Sequence, residues 1–184
     1  RICGPAHTVA FVPLSDTTSP YPDVHPVDSV APGAVVVIQA PAVTPNAVWG
    51  GLMTARAKYL GAAGCVVEGR IRDVAEHRAA AFPVYSRGLS TLGAGAHVRP
   101  STVGQPITLA GSTAWPVVIR AGDIIVADGD GVVRVPSDHV KEVAALCERG
   151  IAVDGKCMED LKSGRTIVET FAKHRGKPAG GSEI

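Results

Sequence analysis

The segment AVVVIQAPAVTPNAVWGGLMTARAKYLGAAGCVVEG, residues 34–69, decides the fold. Its opening, Ala34–Gln39, is a short unbroken apolar run with three consecutive valines, the pattern of a strand buried on both faces. A Pro/Thr/Asn loop follows. A helix is then predicted from Gly51 to Leu60, because Leu52–Leu60 consists mostly of good helix formers and Gly61 and Gly64 supply the stop. Cys65–Glu68 is the next strand. Strand, helix, strand at these lengths make a βαβ unit with both strands pointing the same way. Their C-terminal ends and the helix N-terminus then share one edge of the sheet. Gly50-Gly51 should face the loop 69–73 across a crevice, the usual ligand position in an open α/β sheet.

Outward from this unit, Ala6–Val12 reads as a strand and 14–32 as a loop with at most one helical turn. A short helix is predicted from near Asp73 to before Pro83. Short strands follow at 83–86, 107–110, 117–119, 124–127 and 132–135, with Asp128-Gly129-Asp130-Gly131 as the turn between the last two. Ser137 is the expected N-cap of a helix running to about Glu148, with further helical pieces to Lys173. The reading is one α/β domain over 1–175, followed by a frayed tail, 176–184.

Composition narrows the function classes. The 184 residues are 46% hydrophobic and 19% charged, a globular balance, and only 4% aromatic, so the core must be Val, Ala, Ile and Leu. The net charge is +1 with no basic stripe, which argues against nucleic acid. No apolar run approaches the roughly 20 residues of a membrane span. Cys3, Cys65, Cys147 and Cys157 form no C-x-x-C pair, and Cys65 reads as a buried free thiol. A reducing, cytoplasmic setting is the expectation.

The crevice carries recognisable chemistry. The free N–H groups at the start of the helix, on Gly51, Leu52 and Met53, can accept an anion, and Gly50 and Gly51 let it approach closely. Arg72 can grip a carboxylate through two parallel hydrogen bonds. Asp73 offers oxygen to a hard cation such as Mg²⁺ or Mn²⁺, which often takes one or two protein carboxylates and fills its shell with water. A carboxylate beside a cation-polarised carbonyl is how a 2-oxo acid would bind.

The stretch from Trp49 through Gly50-Gly51-Leu52-Met53 to Arg72-Asp73 resembles the core of the RraA-like proteins. That group includes 4-hydroxy-4-methyl-2-oxoglutarate/4-carboxy-4-hydroxy-2-oxoadipate aldolases. The likeness continues through Phe82–Arg87 and Val118–Val133 and covers most of the chain from Gly4 to about Glu148. It implies a layered β/β/α sandwich with C-terminal helices and a homo-oligomer, trimer or hexamer. It also implies a metal-dependent lyase giving pyruvate from a small 2-oxo acid, by retro-aldol cleavage or oxaloacetate decarboxylation. On that pattern Arg72 and Asp73 are catalytic, Asp73 holds the metal, and Gly50, Gly51, Leu52, Met53 and Arg72 bind substrate. One departure stands out. The family's aldolase motif is an acidic residue, twenty intervening residues, then Arg-Asp, and counting back from Arg72 gives Gly51, which has no carboxylate. Glu68 is the nearby candidate to compensate. Glu148 and Asp154 are candidates for an acid donated to a neighbouring subunit.

Other signals are set aside. His77, four residues after Asp73, could donate a proton or support the site but reads first as a solvated helix histidine; His25 could border the site in an oligomer but reads first as a solvated loop histidine; Arg87 and Arg99 could help bind a second carboxylate but read first as ordinary surface arginines. The residues around Ser90 lack the G-x-S-x-G spacing of a nucleophile elbow. Two readings compete with the lyase: a non-catalytic binding or regulatory protein, and an enzyme repurposed for a larger keto acid or ester in a dedicated biosynthetic pathway.

Overall fold

The structure, a computed structural model, describes residues 1–109 and 116–176. The chain divides into two compact units, 1–137 and from Asp138 onward, a boundary inside the stretch 1–175 that the sequence assigns to one domain. The expected frayed tail lies outside the described residues, apart from Gly176.

The first unit is organised around β1 (Ile2–Pro13), longer at both ends than the expected Ala6–Val12. Its middle pairs in parallel with β2 (Val35–Gln39), Ala6 opposite Val35 and Ala10 opposite Gln39. Its start pairs antiparallel with β9 (Ile124–Ala127), and its end with β6 (Val98–Val103). β2 in turn pairs in parallel with β4 (Gly64–Ile71), and β4 also takes up β3 (Ala47–Trp49) and β5 (Val84–Leu89), both parallel. α1 (Gly51–Tyr59) joins β3 to β4, so β2, α1 and β4 form the predicted βαβ unit. β10 (Val132–Val135) closes an antiparallel hairpin on β9, with the expected turn at 128–131. β7 (Ile107–Leu109) and β8 (Val117–Ile119) form a separate two-stranded ribbon.

The valine run of β2 explains the layering. Side chains along a strand alternate between faces. Val36 and Ile38 enter a core with Val9, Val27, Ala57, Val67 and Phe82, the face covered by α1 and α2 (Val74–Ala79). Val35 and Val37 enter a second core with Ile2, Val66, Ile107, Ile119 and Ile125, covered by strands. With one face under helices and the other under strands, the unit has the layered mixed α/β arrangement expected. Cys65 is fully buried on the helical side, and burial pushes its thiol well up, which keeps it protonated and inert.

Three elements depart from expectation. β6 went unpredicted because Pro100 sits mid-strand. It is tolerated there on an edge strand, opposite Phe11 beside a register shift in β1. β3 is only three residues long and carries no period to read. In the second unit, one 23-residue helix, α3 (Val140–Lys162), replaces the expected pieces, and His139, not Ser137, is its N-cap. Gly150 and Gly155 each disfavour a helix by about 1 kcal/mol relative to alanine, yet α3 runs through both. α4 (Ile167–His174) starts at a full capping box of Thr166 and Glu169. Asp160 accepts from Lys173 and His174 and pairs with Arg165, and Cys157 and Thr170 are buried.

Candidate functional site

α1 begins without a side-chain cap of its own. Gly50, in extended conformation, is its N-cap, and the first free N–H, that of Gly51, donates to Asp73 Oδ2 at 3.0 Å. The residue that closes the crevice from β4 thus caps the helix that opens it from the other side. Arg72 N–H donates to the Trp49 carbonyl at 3.0 Å, tying the end of β4 to β3. Arg72 Nε lies 3.6 Å from Asp73 Oδ2. Asp73 itself is left-handed, φ 62° and ψ 39°, a region that aspartate tolerates better than most residues but that still carries strain. From there its carbonyl receives the N–H groups of Glu76 and His77 and starts α2.

Side chains fold closely over both glycines. A Cβ on Gly50 would lie 2.7 Å from Asp73 Oδ2 and 3.1 Å from Arg72 Nε. A Cβ on Gly51 would overlap the Glu76 carboxylate, with Glu76 Cδ only 2.5 Å away. Two carboxylates, one from the β4–α2 junction and one from α2, therefore pack against the start of α1. Glu76 was missed in the sequence. The available signal was the Asp73-Val74-Ala75-Glu76 spacing, since residues three apart share a helix face.

Gly50, Met53 and Arg72 also line a cavity of about 200 Å³, otherwise walled by apolar side chains such as Phe11, Val48 and Trp49. Drug-sized ligands occupy roughly 300–1,000 Å³, so this space suits a small molecule. His25 borders the same cavity, and its Nδ1 accepts from Val27 N–H. Leu52 turns its side chain to solvent, 76% exposed, and can serve a ligand only through its backbone. Asp73 borders a second depression with Arg72, Ser90 and Thr91.

Several expectations need correction. The Gly51 N–H is held by Asp73, leaving Leu52 and Met53 as the first-turn donors open to an anion. Glu68 does not join the site, because it pairs with Arg87 at 2.8 Å. Arg99 is 5% exposed and donates to the carbonyls of Asp16, Ser19, Pro20 and Pro100, stacked 3.7 Å over Tyr21. It fastens a loop and has no free fork for a substrate. His77 is 4% exposed, not solvated. Its Nδ1 lies 2.9 Å from Thr54 Oγ1, which accepts from Trp49 Nε1–H at 2.8 Å. This buried chain pins α1 to α2 and so fixes Gly51 against Asp73 and Glu76. Asp154 pairs with Arg175 within the second unit, and Glu148 is exposed there.

Among the described residues, no three histidine, cysteine, aspartate or glutamate side chains gather as a metal cluster. The carboxylates of Asp73 and Glu76 at the two glycines are nonetheless the donor set a hard, water-carrying cation takes. The residues present fit Mg²⁺ or Mn²⁺.

The family model RraA-like, described as Aldolase/RraA, matches residues 1–134. This chain belongs to the RraA-like family. A Halalkalibacterium halodurans relative named "Putative 4-hydroxy-4-methyl-2-oxoglutarate aldolase" is 34% identical over 154 residues, covering 84% of this chain and 69% of its own. A solved structure of an uncharacterized protein from Pseudomonas syringae pv. tomato superposes with a TM-score of 0.78 at 27% identity, covering 91% of this chain and 76% of that one. Streptomyces coelicolor RraAS2, described as an unusual member of the RNase ES inhibitor RraA protein family, superposes with a TM-score of 0.70 at 29% identity, covering 89% and 77%. Family members thus bear names from both enzymology and RNase inhibition. No helix among the described residues is long and apolar enough to cross a membrane.

Proposed function

We propose that this RraA-like protein is a divalent-metal-dependent carbon–carbon lyase producing pyruvate from a small 2-oxo acid. The reaction is oxaloacetate decarboxylation, retro-aldol cleavage of a 4-hydroxy-2-oxo acid, or both. The observation that carries the reading is the convergence of Arg72, Asp73 and the Asp73-capped first turn of α1 beside a small, mostly apolar cavity. The name of the Halalkalibacterium relative supports the same chemistry.

Arg72 and the N–H groups of Leu52 and Met53 would hold the substrate carboxylate at the mouth of the cavity. Asp73 would hold the cation. Its Oδ2 already receives the Gly51 N–H and faces Arg72, so the side chain is oriented before anything binds. When bound, Mg²⁺ or Mn²⁺ supplies Lewis-acid polarisation of the 2-oxo group. As the C3–C4 bond breaks, its electron pair moves toward C2 and its oxygen, and the Arg72 guanidinium would meet that charge. In decarboxylation CO₂ leaves without a base, and C3 afterwards takes a proton. Retro-aldol cleavage also needs a base for the 4-hydroxyl proton. With glycine at position 51, decarboxylation is the less demanding reaction.

The test is pyruvate release from oxaloacetate with added Mg²⁺ and with excess EDTA, each corrected for the uncatalysed rate. Release well above background with Mg²⁺ alone is expected. No release in either condition, from oxaloacetate or from a 4-hydroxy-2-oxo acid, would defeat the reading and favour a non-catalytic binding role, for which Gly51 and the RNase-inhibitor relative speak. Turnover of larger keto acids alone would favour a repurposed enzyme of a dedicated pathway. The family resemblance also leads us to propose a homotrimeric or hexameric assembly in the cytoplasm.

A further inference from the structure

The geometry points to Glu76 as a second cation-binding carboxylate, taking over at the start of α1 the role that an acidic side chain at position 51 would otherwise fill. The inference rests on the lyase reading of the Arg72–Asp73 site. Three observations converge on it. Gly51, at the first position of α1, has no side chain, and the space its Cβ would enter is filled by the Glu76 carboxylate arriving from α2. Gly50, the preceding residue, is packed in the same manner against Asp73 Oδ2. Two carboxylates on one short segment, three residues apart, thus occupy the places of two consecutive missing side chains. Finally, the Trp49–Thr54–His77 chain anchors α2 to α1 through the residue following Glu76, which holds this glutamate at the helix start.

Glu76 is exposed, yet its carboxylate lies against Gly51, the residue whose N–H donates to Asp73. The positive end of α1 favours carboxylates there, and a cation held by both would favour them further. Glycine at 51 is then the complement of Glu76: a side chain there would push the carboxylate out. The acid is relocated from α1 to α2.

The experiment measures Mn²⁺ binding to the full chain by the loss of the free-ion paramagnetic resonance signal, with the thermal midpoint of each variant as the folding control. Wild type should bind Mn²⁺, and Asp73→Asn should abolish binding. Glu76→Gln should weaken it at least roughly tenfold, a loss typical even of outer-sphere partners. Gly51→Ala should weaken it comparably by displacing the carboxylate, and should add little in the Glu76→Gln background, because both changes remove one interaction. Gly51→Asp combined with Glu76→Ala should restore binding by returning the carboxylate to α1. If Asp73→Asn abolishes binding while Glu76→Gln binds as wild type, this inference falls and the lyase reading stands. If wild type binds no Mn²⁺, or Asp73→Asn changes nothing, the lyase reading fails and takes the inference with it.

Discussion

Asp123 and Asp73 each stand between two elements, and they do opposite work. Asp123, 2% exposed, accepts from Arg134 Nε and Arg120 N–H, both at 2.8 Å, and from Ser137 N–H at 3.2 Å. Burial alone would raise its carboxyl pKa, but the Arg134 and backbone donors outweigh it and hold the group below the usual range. Every part of that carboxylate is engaged in joining the β8–β9 turn to the end of β10. Asp73 is 29% exposed, receives one N–H at Oδ2, and stands beside Arg72 in a strained left-handed conformation. A carboxylate with its oxygens fully met holds the fold; one with an oxygen left toward a cleft is available to a ligand.

The largest effect is expected from Asp123→Ala. It leaves Arg134 and two backbone N–H groups without their acceptor, a loss of about 3–5 kcal/mol for a buried pair deprived of one partner. Thermal unfolding should show a large fall in midpoint, and a midpoint near wild type would contradict the structural role. Arg72→Ala should do the reverse, keeping the unfolding midpoint while pyruvate formation from oxaloacetate falls about 100-fold or more, the usual result of removing one charge-stabilising donor. Thr54→Val lies between the two regions. It leaves the Trp49 indole N–H and His77 Nδ1 unpaired in the core, costing about 1–3 kcal/mol, readable in denaturant unfolding.

The smallest effect concerns pH. Burial lowers the His7 pKa against the opposing pull of its hydrogen bond to the Pro26 carbonyl. The unfolded chain therefore takes up the proton first, so this contribution to stability is present above the ordinary histidine pKa of about 6.5 and declines as pH falls through it. The unfolding midpoint should drop on going from pH 7 to pH 5, and the drop should be shallower in His7→Gln. An equal slope in both would assign the effect elsewhere.

What the sequence yielded follows the same division between local and distant causes. The βαβ unit was legible because the valine run of β2, the helix formers after Gly51 and the glycine stops are local signals of the right period. Gly50, Arg72 and Asp73 could be placed together because a parallel crossover puts strand ends and helix starts on one edge. The partners those residues chose could not be read. That Asp73 would cap α1, that Glu76 would sit against Gly51 and that His77 would be buried under Thr54 are side-chain placements set by how α2 packs on α1. Glu68 looked suitable by proximity in sequence, yet Arg87 on the neighbouring strand claims it. Pro100 concealed β6, because its tolerance depends on an edge position that only the assembled sheet defines.

The most direct test of the account is pyruvate release by Asp73→Asn, since asparagine can keep the left-handed backbone and still accept the Gly51 N–H while losing the charge. The variant should unfold at the wild-type temperature and form no pyruvate from oxaloacetate beyond the uncatalysed rate, with or without Mg²⁺. Wild-type turnover in that variant would contradict this and move the chemistry away from this edge of the sheet.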